Sequence, residues 1–142
     1  MEKKYFLSLD LGTQGTKAAL LDFQGNVAAC SFSENVFQEK DSGEISIAAE
    51  DLRRVVLAST RAVLARGCVS ADEIAAVGVV GMMAGIVGLG ENWEAVTPYD
   101  TGLDKRCEEA IREMQQMGEE QVFRICGSPI IVAQGAKMYW LK

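Results

Sequence analysis

The chain has 142 residues, of which 49% are hydrophobic, so the default expectation is one domain over residues 1–142 with a packed core. Its formal charge of −6 supplies no basic surface for a polyanion, which argues against nucleic acid and anionic membrane as partners. The absence of histidine excludes a Ser-His-Asp triad, a His-ligated metal and an imidazole base within this chain. Any chemistry must therefore use carboxylates, hydroxyls, lysines or backbone amides.

The cysteine spacing and the apolar stretches indicate the state of the thiols and the cellular location of the protein. The four cysteines form no C-x-x-C pair, which predicts buried free thiols rather than a zinc or redox site; they are Cys30, Cys68, Cys107 and Cys126. The amino terminus has no apolar export region. The longest apolar stretch, residues 74–89, is glycine-rich and too short for a bilayer, which needs about 20 residues. We therefore expect a cytoplasmic protein.

The amino-terminal segment alternates short apolar runs with turns. Residues 5–9 are nearly continuously apolar, which predicts a strand covered on both faces, and Asp10 lies at its carboxyl end. Residues 16–23 and 27–32 predict two further strands, each preceded by a glycine-containing turn. The three strands predict an antiparallel meander.

The middle of the chain predicts a helix followed by another strand. Residues 38–44 are polar and predict a loop. Acidic residues at 50 and 51, followed by apolar residues at helical spacing, predict an amphipathic helix that packs on the sheet and ends at Gly67. Residues 70–73 fit a capping box, and residues 74–80 predict a buried strand, parallel to the first because a helix connects the two.

The carboxyl-terminal part completes the element order. Residues 86–89 and 93–96 predict a hairpin, and the apolar positions from Leu103 to Gly118 predict a second amphipathic helix. This order predicts an α/β domain of the ribonuclease-H-like type. In that fold an antiparallel three-strand meander continues into a parallel sheet with flanking helices.

The turn after the first strand concentrates groups that suit a nucleotide phosphate: Asp10, Gly12, Thr13, Gln14, Gly15, Thr16 and Lys17. Glycines let backbone amides approach phosphate oxygens, hydroxyls donate hydrogen bonds, a lysine adds a cation, and a carboxylate can hold a Mg²⁺-bound water. The segment fits neither the P-loop pattern nor G-x-G-x-x-G. Residue types alone leave an ordinary hairpin, with Asp10 accepting turn amides, as an equal alternative.

Four segments, in chain order, resemble the FGGY carbohydrate kinases, which are members of the actin-like ATPase superfamily. Residues 8–22 resemble their D-x-G-T-x-x-x-[RK] phosphate motif. Residues 74–85 resemble the strand and turn that reads I-x-G-Q-M-H-G in xylulokinase-like members, residues 98–107 resemble P-x-x-x-W-x-D-x-R, and residues 135–141 resemble the stretch ending in K-x-x-W-L. Together these segments extend over essentially the whole chain.

The sugar-facing positions depart from this pattern. The chain has Met82 and Ala84 where xylulokinase-like enzymes place Gln and His, and Gly102 replaces the tryptophan. The resemblance places five residues at the sugar pocket: Met82, Met83, Ala84, Asp104 and Arg106. Plain packing by the methionines, and a helix-start acid beside a surface cation for the charged pair, are the alternatives. The departures imply a substrate other than xylulose.

The resemblance implies phosphoryl transfer from MgATP to a sugar or polyol hydroxyl. Asp10 would lie near the magnesium, while Thr13, Thr16 and Lys17 would face the transferred phosphoryl group. The catalytic base and the adenosine site of these kinases lie beyond the matched portion, so we expect a truncated piece of a longer enzyme, inactive by itself and without its catalytic base. An apolar surface left by a missing second domain would favour self-association, which leaves a homodimer open.

Two other functions stay open. The first is a non-catalytic sensor of sugar or nucleotide on the same fold, suggested by Met82 and Ala84 in place of polar partners. The second is a structural or interaction domain in which the turn after Asp10 is only an element of the fold.

Overall fold

The computed structural model describes residues 2–142, which form two compact units. One unit comprises the residues up to Val36 together with Glu50–Met82, and the other comprises Phe37–Ala49 together with Met83–Lys142. In chain order the elements are β1 (Tyr5–Leu11), β2 (Gly15–Asp22), β3 (Val27–Glu34), β4 (Gln38–Glu39), β5 (Ile45–Ile47), α1 (Ala49–Gly67), a 3₁₀ turn (Ala71–Glu73), β6 (Ile74–Gly81), β7 (Tyr99–Asp100), α2 (Glu108–Cys126) and α3 (Gln134–Leu141).

The first unit contains a four-stranded mixed sheet in the order β3-β2-β1-β6. The first three strands form the predicted antiparallel meander, and β6 pairs with β1 in parallel after the crossover through α1. The predicted capping box is also present. The Ser70 hydroxyl accepts a hydrogen bond from the Asp72 N–H, and the Glu73 carboxylate accepts one from the Ser70 N–H. The predicted combination of a meander with a parallel strand is confirmed.

One face of this sheet is packed and the other is exposed. Leu9 of β1 and Leu20 of β2 are buried together with Val63 of α1. On the opposite face Phe6 of β1 is exposed, and β6 is exposed on both faces, at Val79, the register partner of Leu9, and at Val80. The prediction that the first strand and residues 74–80 are buried on both faces is therefore wrong for this chain, because α1 packs on one face of β1 and β2 and leaves residues 75–81 exposed.

The second unit contains a small antiparallel sheet of β4, β5 and β7. The predicted loop at 38–44 is partly wrong, because Gln38 pairs with Ser46 of β5. The hairpin predicted over 86–96 is reduced to a turn, in which Leu89 and Ala95 form an isolated bridge and Gly90 N donates to Glu94 O at 2.8 Å.

The helix α2 differs from its predicted bounds at both ends. It begins at Glu108 rather than Leu103, because Thr101 and Asp104 accept backbone N–H groups through their side chains and hold the preceding residues in turns. Gly118 has a φ of 148°, so the predicted helix end is a kink, and the helix continues to a left-handed cap at Gly127.

The cysteines are free, but only Cys107 is buried. The prediction of buried thiols is wrong for the other three; Cys30, for example, is exposed on β3, an edge strand of its sheet. Burial raises the pKa of the Cys107 thiol. Across residues 2–142, none of the helices has the length and apolar character needed to cross a membrane.

Candidate functional site

The turn that joins β1 to β2 is the candidate phosphate site. Gly12 and Gly15 close it with two backbone hydrogen bonds, of 3.0 and 3.3 Å. No side chain fits at position 15, because a Cβ there would lie 2.8 Å from the Phe32 ring and 2.9 Å from the Glu34 Cα, as well as against Ser33 O. Gly15 therefore lets β3 run directly beside the turn.

The exposed tip of this turn presents free backbone donors. The N–H groups of Thr13 and Gln14 donate to no protein acceptor among residues 2–142, and both residues are exposed. Unpaired amides in a tight turn form the kind of concave site that binds an anion. The phosphate role of Thr13 and Gln14 stays a prediction, for which the turn offers two free backbone donors.

Asp10 and Lys17 flank the turn. They are directly opposite each other in the β1–β2 register, so their side chains lie on the same face of the sheet. That face is the exposed one, and within the described chain neither side chain is engaged in an ion pair or hydrogen bond. A carboxylate and an ammonium group thus stand free beside the two unpaired amides.

Thr16 lies on the other side of the sheet from Asp10 and Lys17. It is 0% exposed, and its hydroxyl has no hydrogen-bond partner among the described residues. Ser59 of α1 donates its hydroxyl to Thr16 O at 3.0 Å, which ties β2 to the helix. The prediction that Thr16 faces a phosphoryl group stays untested, but this position places its side chain in the packed layer rather than at the exposed turn.

The donor set fits a magnesium nucleotide rather than an independent metal site. Residues 2–142 contain no group of three acidic, cysteine or histidine side chains that could hold a metal ion. Protein-bound Mg²⁺ is typically held by one or two carboxylates together with phosphate oxygens and water. Asp10 supplies one such carboxylate next to the two unpaired amides, so its role toward Mg²⁺ remains a prediction that the geometry accommodates.

Asn35 is a residue of this site that the sequence analysis missed. It follows β3, and its backbone N–H donates to Gln14 O at 2.9 Å. Its side-chain Nδ2 donates to Gly12 O at 3.0 Å and to Thr13 O at 2.8 Å. The only available signal was a polar residue three positions after the third predicted strand, and nothing local indicates which turn it contacts.

The predicted sugar-facing residues after β6 are small or apolar. Met82 N donates to Leu11 O at 3.0 Å and so extends the pairing of β6 with β1. In the second unit Met83 is 82% exposed, and a Cβ at Gly102 would lie 3.0 Å from the Ala84 Cβ. Small residues at positions 84 and 102 thus approach each other closely, and neither carries a hydrogen-bonding side chain.

Asp104 and Arg106, the other predicted substrate residues, belong to an internal ion-pair network. Asp104 is 1% exposed and accepts hydrogen bonds from Ile45 N at 3.0 Å and Arg106 Nε at 2.9 Å. Arg106 also pairs with Glu44 at 3.2 Å and lies 4.8 Å from the centre of the Trp140 ring. Burial raises the pKa of Asp104, but the hydrogen bonds from Arg106 outweigh it, so that the pKa is lowered.

Lys137 is a second residue that the sequence analysis did not single out. Its side chain is 1% exposed, and Nζ donates to Asp100 Oδ1 at 2.6 Å, Thr101 O at 2.7 Å and Asp104 O at 3.3 Å. The segments 98–107 and 135–141, which resemble two separate family motifs, thus meet at one buried lysine.

Comparisons with known proteins support the family resemblance of these segments. Residues 5–142 match the pattern described as "FGGY family of carbohydrate kinases, N-terminal domain". The glycerol kinase of Xanthobacter autotrophicus is 36% identical over 75 residues, which cover 53% of this chain and 15% of that protein.

Two solved structures show the same fold. The xyloylose kinase from Brucella ovis has a TM-score of 0.87 at 22% identity, covering 96% of this chain and 29% of that one. The Plasmodium falciparum glycerol kinase with ADP has a TM-score of 0.77 at 17% identity, covering 99% of this chain and 29% of that one.

The chain spans less than a third of the length of each of these relatives. These kinase structures match 96% and 99% of the chain, which confirms the predicted α/β fold, a meander that continues into a parallel strand. The family pattern extends over all but the first four residues. The chain therefore belongs to the FGGY family of carbohydrate kinases and corresponds to their N-terminal domain.

Proposed function

We propose that the protein carrying this domain transfers a phosphoryl group from MgATP to a hydroxyl group of a sugar or polyol. The observation that carries the proposal is the β1–β2 turn, in which the N–H groups of Thr13 and Gln14 are unpaired beside the free side chains of Asp10 and Lys17. Membership of a carbohydrate kinase family supports sugar phosphorylation in general.

Each group of the turn has a distinct task in this proposal. The two amides and the Thr13 hydroxyl donate hydrogen bonds to phosphate oxygens, and Lys17 balances their negative charge. Asp10 holds a water molecule of the magnesium ion. MgATP supplies the phosphoryl group and the metal charge that neutralises it, so the contribution of these residues is positioning and electrostatic stabilisation.

The proposal also covers the residues that the family resemblance places at the sugar pocket. The resemblance to the family places three neighbouring residues at the sugar pocket, namely Met82, Met83 and Ala84. Met83 is exposed, so its side chain is free to contact a ligand. Asp104 and Arg106 are already paired with each other. We propose that they support the segment that follows Gly102 rather than contact the sugar, and that the catalytic base lies outside residues 1–142.

The test is sugar-dependent release of ADP by the enzyme that contains this domain, with MgATP and a panel including glycerol and xylulose. We expect Asp10→Asn to lower kcat by about 100-fold, equivalent to roughly 2.7 kcal/mol in the barrier. Asp41→Asn is the matched control, because Asp41 is an exposed acid in the other unit, and we expect it to stay within about twofold of wild type. Wild-type kcat for Asp10→Asn would overturn the role of the turn.

A non-catalytic sensor of sugar or nucleotide is the second candidate. The observation that favours it is that Met82 and Ala84 stand where xylulokinase-like enzymes place hydrogen-bonding residues. This function predicts heat of binding with MgATP or a sugar in calorimetry, but no ADP with any substrate of the panel. ADP release that depends on the sugar excludes it.

A further inference from the structure

We propose that Asn35 is a positioning residue that orients the phosphate-binding turn, and that the free amides of Thr13 and Gln14 depend on it. The inference rests on the proposed function of the turn and adds a residue outside the motif that resembles the family pattern. Asn35 lies 22 positions after Thr13 in the chain, so only the meander brings it to the turn.

Asn35 engages three consecutive carbonyl groups of the turn. Its side-chain Nδ2 has two hydrogens, and they are directed to Gly12 O at 3.0 Å and Thr13 O at 2.8 Å. Its backbone N–H donates a hydrogen bond to the next carbonyl group, Gln14 O, at 2.9 Å. One residue thereby holds every peptide carbonyl from position 12 to position 14.

Holding these carbonyls determines where the amides point. In a planar trans peptide the C=O group and the N–H group of the same unit point in opposite directions. Because Gly12 O and Thr13 O are directed toward Asn35, the N–H groups of Thr13 and Gln14 are directed away from it. The next N–H, that of Gly15, is used inside the turn by Gly12 O. The two amides left over are those that the proposed phosphate would need.

The orientation of the Asn35 side-chain amide leaves its own oxygen atom without a hydrogen bond. Its Oδ1 is buried and has no hydrogen-bond partner among residues 2–142. A buried acceptor without a partner is unfavourable, because it has lost its hydrogen bonds to water. The reversed amide would satisfy the oxygen no better, because it would place Oδ1 against two carbonyl oxygens. The observed orientation therefore serves the turn rather than the asparagine.

The test uses the chain as it exists and inorganic tripolyphosphate with Mg²⁺ as the probe. Two-dimensional ¹⁵N NMR follows the amide signals of Thr13 and Gln14 during titration and yields a Kd. We expect wild type to shift at both amides, and we expect Asn35→Ala to raise the Kd by about tenfold. Asn35→Asp keeps the size of the side chain but removes both Nδ2 donors, so it serves as the second variant if Asn35→Ala does not fold, and the same loss is expected.

A matched control separates positioning from general stability. Asn26→Ala removes the hydrogen bond from Asn26 Nδ2 to Asp22 Oδ2, 2.9 Å long, in the other turn of the same meander. We expect it to leave the tripolyphosphate Kd within about twofold even where its melting temperature falls as far as that of Asn35→Ala. In the enzyme that contains this domain, Asn35→Ala should raise KM for ATP and leave KM for the sugar unchanged.

The outcomes distinguish this inference from the function beneath it. If the wild-type Thr13 and Gln14 amides do not shift with tripolyphosphate, both the phosphate role of the turn and the inference are overturned. If wild type binds and the Asn35 variants bind equally well, the inference alone is overturned and the proposed function stands. A similar rise in Kd for Asn26→Ala would also overturn it, because the effect would then be one of stability.

Discussion

Replacing Lys137 with methionine tests the buried ion pair of the second unit. Lys137 Nζ donates to the Asp100 carboxylate and to two backbone carbonyls, and its side chain is 1% exposed. Methionine fills a similar volume but leaves the Asp100 charge without its partner in a buried position. Removing one member of a buried pair typically costs about 3–5 kcal/mol.

Urea unfolding measures this loss directly. Both tryptophans, Trp93 and Trp140, lie in the second unit, so their fluorescence reports on it. With a slope of about 2 kcal/mol per molar urea, the expected loss moves the midpoint down by about 2 M. Lys105→Met is the matched control, since Lys105 is exposed in the same unit, and its free energy of unfolding should change by less than about 0.5 kcal/mol.

A second substitution sharpens the interpretation. Asp100→Asn in the Lys137→Met background removes the stranded charge, so it should recover at least about 1 kcal/mol of the loss. A loss below about 1 kcal/mol for Lys137→Met alone would refute the assignment of a buried ion pair. An absence of recovery in the double variant would show that lost packing, rather than an unpaired charge, is the cause.

Three further predictions concern acid stability and packing. Hydrogen bonds from a lysine and a serine lower the pKa of Glu44, so its contribution to stability is complete above its unfolded pKa of about 4.5 and is lost as the pH falls through the lower folded pKa. Acid titration by circular dichroism should therefore show a shallower loss for Glu44→Gln than for wild type over that window. Gly15→Ala should destabilise the first unit by about 2 kcal/mol or more in thermal unfolding, because its Cβ has no room, whereas Gly78→Ala, with open space, should not. Ser59→Ala should lower the free energy of unfolding by about 1–3 kcal/mol, because it removes the buried hydroxyl of α1 that donates to Thr16 O of β2, whereas Ser42→Ala, at an exposed position, should leave it unchanged.

Each of these three has an outcome that contradicts it. Identical acid profiles for Glu44→Gln and wild type would mean that the carboxylate gains nothing from its partners. Equal melting temperatures for the two glycine variants would contradict the close approach of β3 to the turn. A Ser59 variant as stable as the Ser42 variant would show that the hydroxyl contact with β2 contributes no net stability.

The elements that local signals encode were predicted best. Glycine-containing turns separate the three strands of the meander, and residues at helical spacing form the buried stripe of α1, with Val55, Ser59 and Val63 inside. The capping box of the 3₁₀ turn was also readable, because its members are three residues apart. Hydrogen bonds and periodicity over a few residues suffice for such features.

Positions that depend on distant partners were not predicted. Residues 74–80 have the composition of a buried strand, yet β6 is largely exposed, since composition does not reveal what covers a strand. Asp104 and Arg106 were predicted as pocket residues from their pattern, and nothing in that pattern indicated that Arg106 pairs with Asp104 and with Glu44, 62 positions before it. A sequence pattern cannot distinguish a charge that faces a ligand from one that is already neutralised.

The sequence by itself determined the meander followed by α1 and β6, the family resemblance and the turn after Asp10, because all of these arise from residues that are neighbours in the chain. Only the tertiary structure decided that Thr16 lies in the packed layer and Lys17 on the exposed face, and that Asn35 holds the carbonyl groups of the turn. The physical reason is that these assignments depend on which face of the sheet α1 covers and on where β3 ends.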